Sequence, residues 1–517
     1  MPAPHIAPGV TTSRSYTIKG QRSRWLYPHE RLDPESTQTL TNINLSERGA
    51  AEVRKGYTTY NSTQLSGGEA VTGLIQANWK GTGLKQLVVT PTKVYIDDGT
   101  TRTNVTGSLS LTAGGNEDRI RWAFIRDKVV ATNGKDETWT KDGTFGGSPS
   151  NAAALTGMPW TTCEDLIEHQ GLLVAFAPTE SGTKYPTRLR WSDINSRTWV
   201  PDITSWPDDN RYELYEGSAA IVGAVDNFGL VMCFKEDGLY PGKIGSQGKL
   251  GFLEFVPSTP IRGFSPIAKH SIIARPEFVF GVAREGAFII DRELNVHIIT
   301  LDIMDEWKAL NETRLKYAMS FIREEDHQIR TILSGAGNST EHDLVLVYDW
   351  ETQDVWFDKP VDAMNACARL VVDDVEYDWL GDASGFIYRG NTGATDNGDG
   401  FAWEIRTAPN DLGAPGRTKT IHYVRTIMAA QDGQQSIDMS VFRDQGALET
   451  RRKTIKLFTG NTFNSGKTYN RGTKYPAAAN SIDRFFVNRS AETIEIRWKG
   501  NAPASIRGYQ VEFVVEE

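Results

Sequence analysis

The sequence predicts an all-β protein, a β-propeller of about six or seven blades with an N-terminal extended arm and a C-terminal β-sandwich-like domain. Two observations lead to this fold class. The first is that apolar and polar residues alternate in short runs rich in Val, Ile, Tyr and Trp, which Gly, Asn, Asp and Pro separate. This pattern is typical of antiparallel strands joined by hairpins. The second observation is a repeat of these strand-like units along the chain.

The repeat is carried by the aromatic or apolar residues that end strand-like runs. They are separated by 44, 52, 49, 50, 58 and 40 residues: Tyr95, Trp139, Trp191, Tyr240, Ile290, Tyr348 and Tyr388. Several follow an acidic or small residue and a glycine, as in the phrase "DGLY" that ends at Tyr240. A period of about 50 residues matches one four-stranded blade, which buries its faces only by packing on its neighbours. Another large all-β array is the alternative.

These patterns divide the chain into three segments. Residues 1–60 form the extended N-terminal arm and lead-in, residues 61–400 the propeller, and residues 401–517 the C-terminal β-domain. The polar stretch "RGNTGATDNGDG" is the predicted linker before the last domain. There the alternation is clean, as at Ile494 and Ile496, and predicts a sandwich whose sheets each have one solvated face.

One helix is predicted in the phrase "LDIMDEWKAL". Ile303, Trp307 and Leu310 fall on one face at helical spacing, and Asp302 is the expected N-cap.

Composition narrows the class of function. The chain of 517 residues has a net charge of −9, which argues against a general nucleic-acid binder but is compatible with a passage that DNA crosses without sticking. The first 60 residues differ, with 8 Lys and Arg against 5 Asp and Glu. We see no secretion signal, and no apolar run approaches the ~18 residues of a membrane-spanning helix, so no membrane insertion is expected. The three cysteines are expected to be reduced and packed.

The phrase "WSDINSRTW", residues 191–199, raises the possibility of carbohydrate chemistry. It has the spacing of the neuraminidase Asp box, S-x-D-x-G-x-T-W, but Ile194 and Ser196 stand at the Asp and Gly positions. A glycosidase needs two carboxylates across a sugar site. A neuraminidase also needs clustered arginines, for which the chain offers Arg188, Arg190 and Arg292.

The same phrase is also explained as a blade hairpin without chemistry. "YDWETQDVW" repeats its eight-residue aromatic spacing, which would place both pairs of aromatic residues in the blade core: Trp191, Trp199, Tyr348 and Trp356. Asp193 and Asn195 are then expected to shape the turn between Trp191 and Trp199.

No catalytic, cofactor-binding or metal-binding residue is predicted, and we do not expect an enzyme. "GNTFNSGKT" has five residues between its glycines where a phosphate-binding loop needs four, and "DNGDG" lacks the bidentate Glu of a calcium loop. Long polar loops are often functional. The loop at 459–481 is therefore the candidate channel or tip loop, with these polar and basic residues as its candidates: Asn461, Asn464, Lys467, Tyr469, Arg471 and Lys474.

The N-terminal phrase "NINLSERGAAEVRKGYTTYN" resembles the opening of the tail nozzle proteins of short-tailed bacteriophages, also called tail tubular protein B or packaged-DNA stabilisation protein. The matching residues are two asparagines, a glycine, a basic pair and a second glycine: Asn42, Asn44, Gly49, Arg54, Lys55 and Gly56. The proline that usually follows the basic residue is missing. "RLRWSDINSRTW" is similar to a blade phrase of the same family.

The resemblance implies a structural virion protein of the tail, assembled in the host cytoplasm as a homo-oligomeric ring, typically a hexamer. Such a ring extends the DNA-exit channel below the portal and the adaptor, helps to retain packaged DNA, and docks a tail fibre, needle or plug. DNA would pass through without specific binding. A carbohydrate-binding or glycan-hydrolysing propeller is the alternative, and a fibre-docking collar elsewhere on the virion is a third possibility.

Overall fold

A computed structural model describes most of the chain. The described residues are 9–22, 35–45, 50–144, 150–195, 200–217, 219–245, 253–338, 340–429, 434–444, 448–458 and 480–516. Five short strands occupy the N-terminal segment: β1 Thr11–Tyr16, β2 Thr37–Thr41, β3 Ile43–Leu45, β4 Ala51–Val53 and β5 Tyr57–Thr59.

The body of the chain is a propeller with seven four-stranded antiparallel blades among the described residues. Blade 1 contains β6 Gly73–Trp79, β7 Gly83–Val89, β8 Val94–Asp97 and β9 Arg102–Asn104. Blade 2 contains β10 Arg121–Ile125, β11 Lys128–Thr132, β12 Trp139–Asp142 and β13 Ala153–Ala154. Blade 3 contains β14 Asp165–His169, β15 Leu172–Phe176, β18 Arg188–Trp191 and β21 Arg211–Glu213. Two hairpins accompany this blade: β16 Thr179–Glu180 with β17 Thr183–Lys184, and β19 Asp193–Asn195 with β20 Val200–Asp202.

The remaining blades follow the same order. Blade 4 contains β22 Ile221–Asn227, β23 Leu230–Lys235, β24 Gly238–Gly245 and β25 Glu254–Pro257, with β26 Ile261–Arg262 added beside β24. Blade 5 contains β27 Ile273–Ala274, β28 Val279–Ala283, β29 Gly286–Ile290 and β30 Val296–Ile298. Blade 6 contains β31 Met319–Arg323, β32 Gln328–Leu333, β33 Leu344–Asp349 and β34 Asp354–Asp358. Blade 7 contains β35 Ala366–Val372, β36 Val375–Gly381 and β37 Ile387–Gly390, and β5 is its fourth strand.

The predicted fold class, an all-β propeller with about six or seven blades, is confirmed. Each of the seven anchors of the repeat lies in the third strand of a different blade: Tyr95, Trp139, Trp191, Tyr240, Ile290, Tyr348 and Tyr388. The repeat therefore follows the blades one by one, because the same position in each blade must fill the space between neighbouring sheets.

The glycine before two of these anchors has a steric cause. Gly238 and Gly286 begin the third strands of blades 4 and 5 with φ values of 144° and 154°. A Cβ atom on Gly238 would lie 2.2 Å from the carbonyl oxygen of Ile261, and one on Gly286 would lie 2.4 Å from Thr300 Oγ1. The close approach of the next segment to the blade thus requires glycine at this position.

The C-terminal sandwich consists of two sheets. Its own strands are β38 Trp403–Thr407, β39 Lys419–Ala429, β40 Gln434–Arg443, β41 Leu448–Phe458, β42 Asn480–Ala491, β43 Ile494–Gly500 and β44 Ser505–Val515. One sheet has the order β3-β4-β44-β39-β42, with β1 paired to β44. The core between the two sheets includes Trp403, Trp498 and Phe513, all at most 2% exposed.

The second sheet of the sandwich is continuous with the propeller. Its nine strands run in the order β31-β32-β33-β34-β2-β38-β43-β40-β41, so β2 joins the outer strand of blade 6 to the first strand of the sandwich. The N-terminal segment therefore contributes strands to both sandwich sheets and also closes blade 7. One hydrogen-bonded sheet holds the two domains in a fixed arrangement.

The predicted helix is shorter than the pattern suggested and begins differently. A 3₁₀ turn at Leu301–Ile303 leads into α1, Met304–Lys308. Asp302 lies inside the 3₁₀ turn and forms an ion pair with Arg22, so it is not the N-cap. Three further 3₁₀ turns are Ser66–Gly68, Lys269–Ser271 and Glu312–Tyr317. Among the described residues, no helix has the length and apolarity to cross a membrane.

Candidate functional site

The junction between the propeller and the sandwich is built around Arg54. Its guanidinium donates to both carboxylate oxygens of Asp396, from Nη1 at 2.8 Å and from Nη2 at 2.6 Å. Arg54 is 6% exposed and Asp396 is fully buried. The guanidinium carbon also lies 3.9 Å from the ring centroid of Phe401. Burial opposes the charge of Arg54, but the hydrogen bonds to Asp396 and the charge of Asp358 raise its pKa above the usual value.

Asn42 completes this junction. Its side-chain oxygen accepts from Arg54 Nε at 2.9 Å and from the backbone N–H of Lys359 at 2.6 Å. Its Nδ2 donates to the carbonyl of Ala402 at 2.7 Å, and its backbone has a φ of 57°, which asparagine tolerates better than most residues. Asn42 and Arg54 are two of the residues that carry the resemblance to nozzle proteins, so the phrase coincides with the contact between the two domains.

Further buried charges extend the junction into blades 6 and 7. Arg330 Nη1 lies 3.1 Å from Asp378 Oδ2 and 3.7 Å from Asp358 Oδ2, and its Nη2 donates to Asn44 Oδ1 at 3.3 Å. Asp358 is 2% exposed. Burial raises the pKa of Asp358, although Arg330 and Arg54 oppose this effect. The charges of this network compensate one another inside the fold.

A buried arginine bridges the first strands of non-adjacent blades near the propeller axis. The first strands of adjacent blades contact one another around this axis, as β10 does with β14 and β14 with β22. Arg119 precedes β10 of blade 2, yet its guanidinium donates to the backbone oxygens of Tyr317 and Asn365, which precede blades 6 and 7. It also donates to Asn365 Oδ1 at 2.9 Å. The Arg119 side chain is fully buried, and its hydrogen bonds link blade 2 to blades 6 and 7.

His342 is a further partner of Arg119 and is held neutral. Arg119 Nη2 lies 3.1 Å from His342 Nε2, and His342 Nδ1 lies 3.0 Å from Ser334 Oγ. Since the guanidinium only donates, Nε2 accepts and the ring proton is on Nδ1. Burial, together with the charges of Arg119 and Arg314, keeps the pKa of His342 well below its usual value. Burial also lowers the pKa of Arg119 to about 10, although Glu117 opposes this shift.

Two further ion pairs cross between blades at the same end of the axis. Arg121 donates to both oxygens of Asp165 in blade 3, at 2.7 and 3.1 Å, and to the carbonyl of Ala224 in blade 4 at 3.0 Å. Lys269, just before blade 5, lies 3.2 Å from Glu164 Oε2, just before blade 3. These contacts hold the blades together and leave the described charges at this end paired within the chain. The sequence hint was the pair of arginines in "DRIRWAF", which stand just before and at the start of the strand β10.

A cleft of about 1120 Å³ lies between the propeller and the sandwich. Its charged lining consists of Lys359, Glu404, Asp438, Arg452 and Lys499. Asp438 is already paired with Arg452, and Asp438 also accepts from Thr454. Trp403, an aromatic residue in the lining of the cleft, is only 2% exposed and offers no face to a sugar ring. The cleft is polar and mixed in charge.

Of the three arginines considered for a glycosidase, two are paired with carboxylates and the third lies in a different blade. Arg190 donates to both oxygens of Glu180, at 2.7 and 3.2 Å, and Arg188 pairs with Glu180 at 2.8 Å and with Glu213. Arg292 lies in blade 5 and donates to the carbonyl of Pro276 at 3.1 Å. Arg188 and Arg190 therefore belong to a buried ion-pair cluster of blade 3, in which their charges are already balanced.

The predicted blade-core residues occupy two different kinds of core. Trp191 is 1% exposed and packs between blades 3 and 4, and Tyr348 is 6% exposed and packs between blades 5 and 6. Trp356 is fully buried, but it packs in the sandwich core. Tyr348 pairs with Val355 and Trp356 with Val347, so the two aromatic residues point to opposite faces of the sheet. The expectation that they share one core is wrong.

The hairpin in "WSDINSRTW" also differs from the expectation. Asp193 and Asn195 belong to β19 and pair with β20, so they do not form the turn. Trp199 lies outside the described residues, as do all six candidates of the channel or tip loop: Asn461, Asn464, Lys467, Tyr469, Arg471 and Lys474.

The described residues contain no group of three or more His, Cys, Asp or Glu side chains placed to hold a metal ion. The three cysteines, Cys163, Cys233 and Cys367, are free and buried. Burial raises the pKa of Cys163 to about 12 and also raises the pKa of the other two thiols.

No protein-family model matches the chain, and no curated protein matches it with significance. Among solved structures, the WD40 domain of Pan2 from Neurospora crassa aligns with 8% identity and a TM-score of 0.39, covering 67% of this chain and 97% of that structure. The N-terminal domain of Nup159 aligns with 11% identity and a TM-score of 0.39, covering 69% of this chain and 98% of that structure. These likenesses are too distant to assign a function.

Proposed function

We propose that this protein is a tail nozzle subunit of a short-tailed bacteriophage. It forms a homo-oligomeric ring, with six copies as the expected number, that binds the adaptor on one side and a fibre, needle or plug protein on the other. The role is structural and resides in the virion tail, without a catalytic step or a cofactor.

The observation that carries the proposal is the position of the residues that resemble nozzle proteins. Asn42 and Arg54 lie where the N-terminal segment, the propeller and the sandwich meet, and Arg54 is held by Asp396. A subunit of a ring under load needs its domains fixed relative to one another. The buried ion pair and the continuous nine-stranded sheet provide this rigidity.

The propeller axis is not the proposed path for DNA, because the buried Arg119 side chain bridges blade 2 to the residues before blades 6 and 7. In this proposal the genome passes between copies, through a lumen that the ring encloses. The net charge of −9 favours passage without binding, since like charges repel.

Deletion within the long loop tests the role in DNA retention. A variant without residues 461–474 should still assemble, because β41 and β42 are held by their pairing with β40 and β39, outside the loop. We expect particles that carry it to leak packaged DNA or to lose the distal tail protein, measured by nuclease sensitivity and by pull-down. Normal retention together with normal distal binding would reject the gate role. Failure to bind the adaptor in the wild type would reject the nozzle itself.

A further inference from the structure

The first part of the described chain, residues 9–22, is attached to the body by few apolar contacts. We name it the docking segment. Its strand β1 pairs antiparallel with β44, with Thr11 opposite Val514 and Tyr16 opposite Tyr509. Tyr16 stacks on Tyr509 at 5.1 Å between ring centroids, and Ile18 is 2% exposed. Backbone hydrogen bonds and two buried side chains therefore provide most of the attachment.

The second half of the docking segment lies across blade 6 and α1. The backbone N–H of Gln21 donates to the carbonyl of Val355 at 3.2 Å, and Gln21 Nε2 donates to Glu306 Oε1 at 2.7 Å. Arg22 forms an ion pair with Asp302. Each of these contacts is polar.

Charge complementarity explains why this segment binds here. Arg22 pairs with Asp302 on a receiving surface that also presents Glu306 and Asp354, whereas Lys19 pairs with Glu35 and contributes to the field at Asp354. A Cβ atom on the residue beside Asp354, Gly20, would lie 2.7 Å from the Asp354 Cβ, so the backbone runs directly against this carboxylate. The surface is thus shaped and charged for this segment of this chain.

We propose that the docking segment of one copy binds the next copy in the ring, at the sites that it occupies on its own chain in this structure: β44, the surface of blade 6 and α1, and residues 35–38, to which Lys19 and Arg22 donate from their backbone N–H groups. This inference rests on the proposed function, because it requires neighbouring copies. Exchange re-forms the same contacts whichever copy supplies the segment, and a ring keeps the partner sites at high local concentration. Residues 23–34 connect the segment to the body, and twelve residues span at most about 40 Å when extended.

A disulfide between β1 and β44 reports which copy supplies the strand. Thr11→Cys with Val514→Cys places two cysteines at directly opposed positions, at a separation that a disulfide spans. The native cysteines are buried and should not interfere. Thr420→Cys with Ser490→Cys is the matched control, because these residues are opposed on β39 and β42 in the same cross-strand row. Single-cysteine variants control for chance collisions.

Assembled protein is oxidised and analysed by non-reducing electrophoresis and free-thiol counting. We expect the 11/514 variant to give covalent multimers up to the size of the ring, and the 420/490 variant to give only crosslinks within one chain. Crosslinks only within one chain for the 11/514 variant, in rings of normal size, would overturn the exchange and leave the nozzle proposal intact. A protein that stays monomeric at every concentration would also overturn the exchange, whereas adaptor binding tests the nozzle separately.

Mixing gives an independent second test. Arg22→Asp and Asp302→Arg each place like charges at the contact within one chain, but a mixture of the two variants restores opposite charges only between copies. We expect the mixture to assemble at a lower concentration than either variant alone. Equal assembly of the mixture and the single variants would contradict the exchange.

Discussion

Arg54 and Asp396 form a bidentate ion pair that joins positions 342 residues apart in the sequence. Arg54 follows the last N-terminal strand of the sandwich, and Asp396 lies in the predicted linker between propeller and sandwich. Both side chains are buried, so each is the main charge compensation of the other in the junction. The contact therefore couples closure of the propeller to assembly of the sandwich.

Breaking this pair should destabilise the protein strongly. Asp396→Asn leaves the Arg54 guanidinium buried without its counter-charge, and we expect the free energy of unfolding to fall by about 3–5 kcal/mol. Arg452→Ala removes one partner of the exposed Arg452–Asp438 pair and should have a much smaller effect. Urea denaturation followed by tryptophan fluorescence measures both. Equal losses for the two variants would contradict a special role for the junction.

Removal of Arg119 should weaken the contacts that close the circle of seven blades within one chain. Arg119→Met keeps much of the volume but removes the donors for Tyr317, His342 and Asn365, and leaves their acceptors unsatisfied in a buried site. We expect a loss of about 3 kcal/mol and faster amide hydrogen exchange at the start of β31 and β35. An unchanged exchange pattern at these two strands would mean that Arg119 does not link the blades.

Two tryptophans distinguish blade packing from surface effects. Trp191 is 1% exposed between blades 3 and 4, whereas Trp122 is 37% exposed in blade 2. Trp191→Ala should cost about 3–5 kcal/mol, because the cavity cannot collapse between two sheets. Trp122→Ala should cost clearly less. The same denaturation experiment compares them, and a larger loss for Trp122 would contradict the packing described here.

Stability should decrease in mild acid because of buried neutral histidines. The pKa of His342 lies well below its usual value, so the unfolded chain binds a proton below about pH 6.5 that the folded chain does not. The free energy of unfolding then falls with decreasing pH, by at most about 1.4 kcal/mol per pH unit for each such histidine. The lowered pKa of His270 acts in the same direction.

His342→Gln tests this assignment, because glutamine offers Arg119 an acceptor that does not titrate. Its unfolding free energy should depend less on pH between 5 and 6.5 than that of the wild type. An identical slope for His342→Gln and the wild type would assign the acid sensitivity to other groups.

The sequence was sufficient for the architecture because the repeat records a local requirement. The third strand of each blade needs a large residue that packs between neighbouring sheets. Trp191 and Tyr240 fill this position in blades 3 and 4. Contacts between distant segments were not predictable in this way. Nothing beside Arg54 indicates that its partner is Asp396, and nothing in "YDWETQDVW" reveals that Trp356 turns toward the sandwich. Those choices depend on how the N-terminal strands complete sheets that are formed much later in the chain.

In the sequence, the residues that join the propeller to the sandwich could be identified only through the resemblance to nozzle proteins. Asn42 and Arg54 stand in a phrase similar to nozzle proteins, but the phrase itself does not state what the residues contact. The structure supplies the physical reason, since both side chains contact Lys359 at the end of blade 6 and Arg54 also pairs with Asp396 in the linker. The candidate loop residues, Asn461 to Lys474, lie outside the described residues and stay a prediction.

The central claim is that copies of this chain assemble into a ring that continues a DNA-exit channel. Electron microscopy of the purified chain, mixed with the adaptor protein that the proposal requires, tests it most directly. The account predicts a ring of copies, with six-fold symmetry expected, on one side of the adaptor and with an open lumen between subunits. A chain that stays monomeric beside the adaptor, or that binds glycans instead, would contradict it.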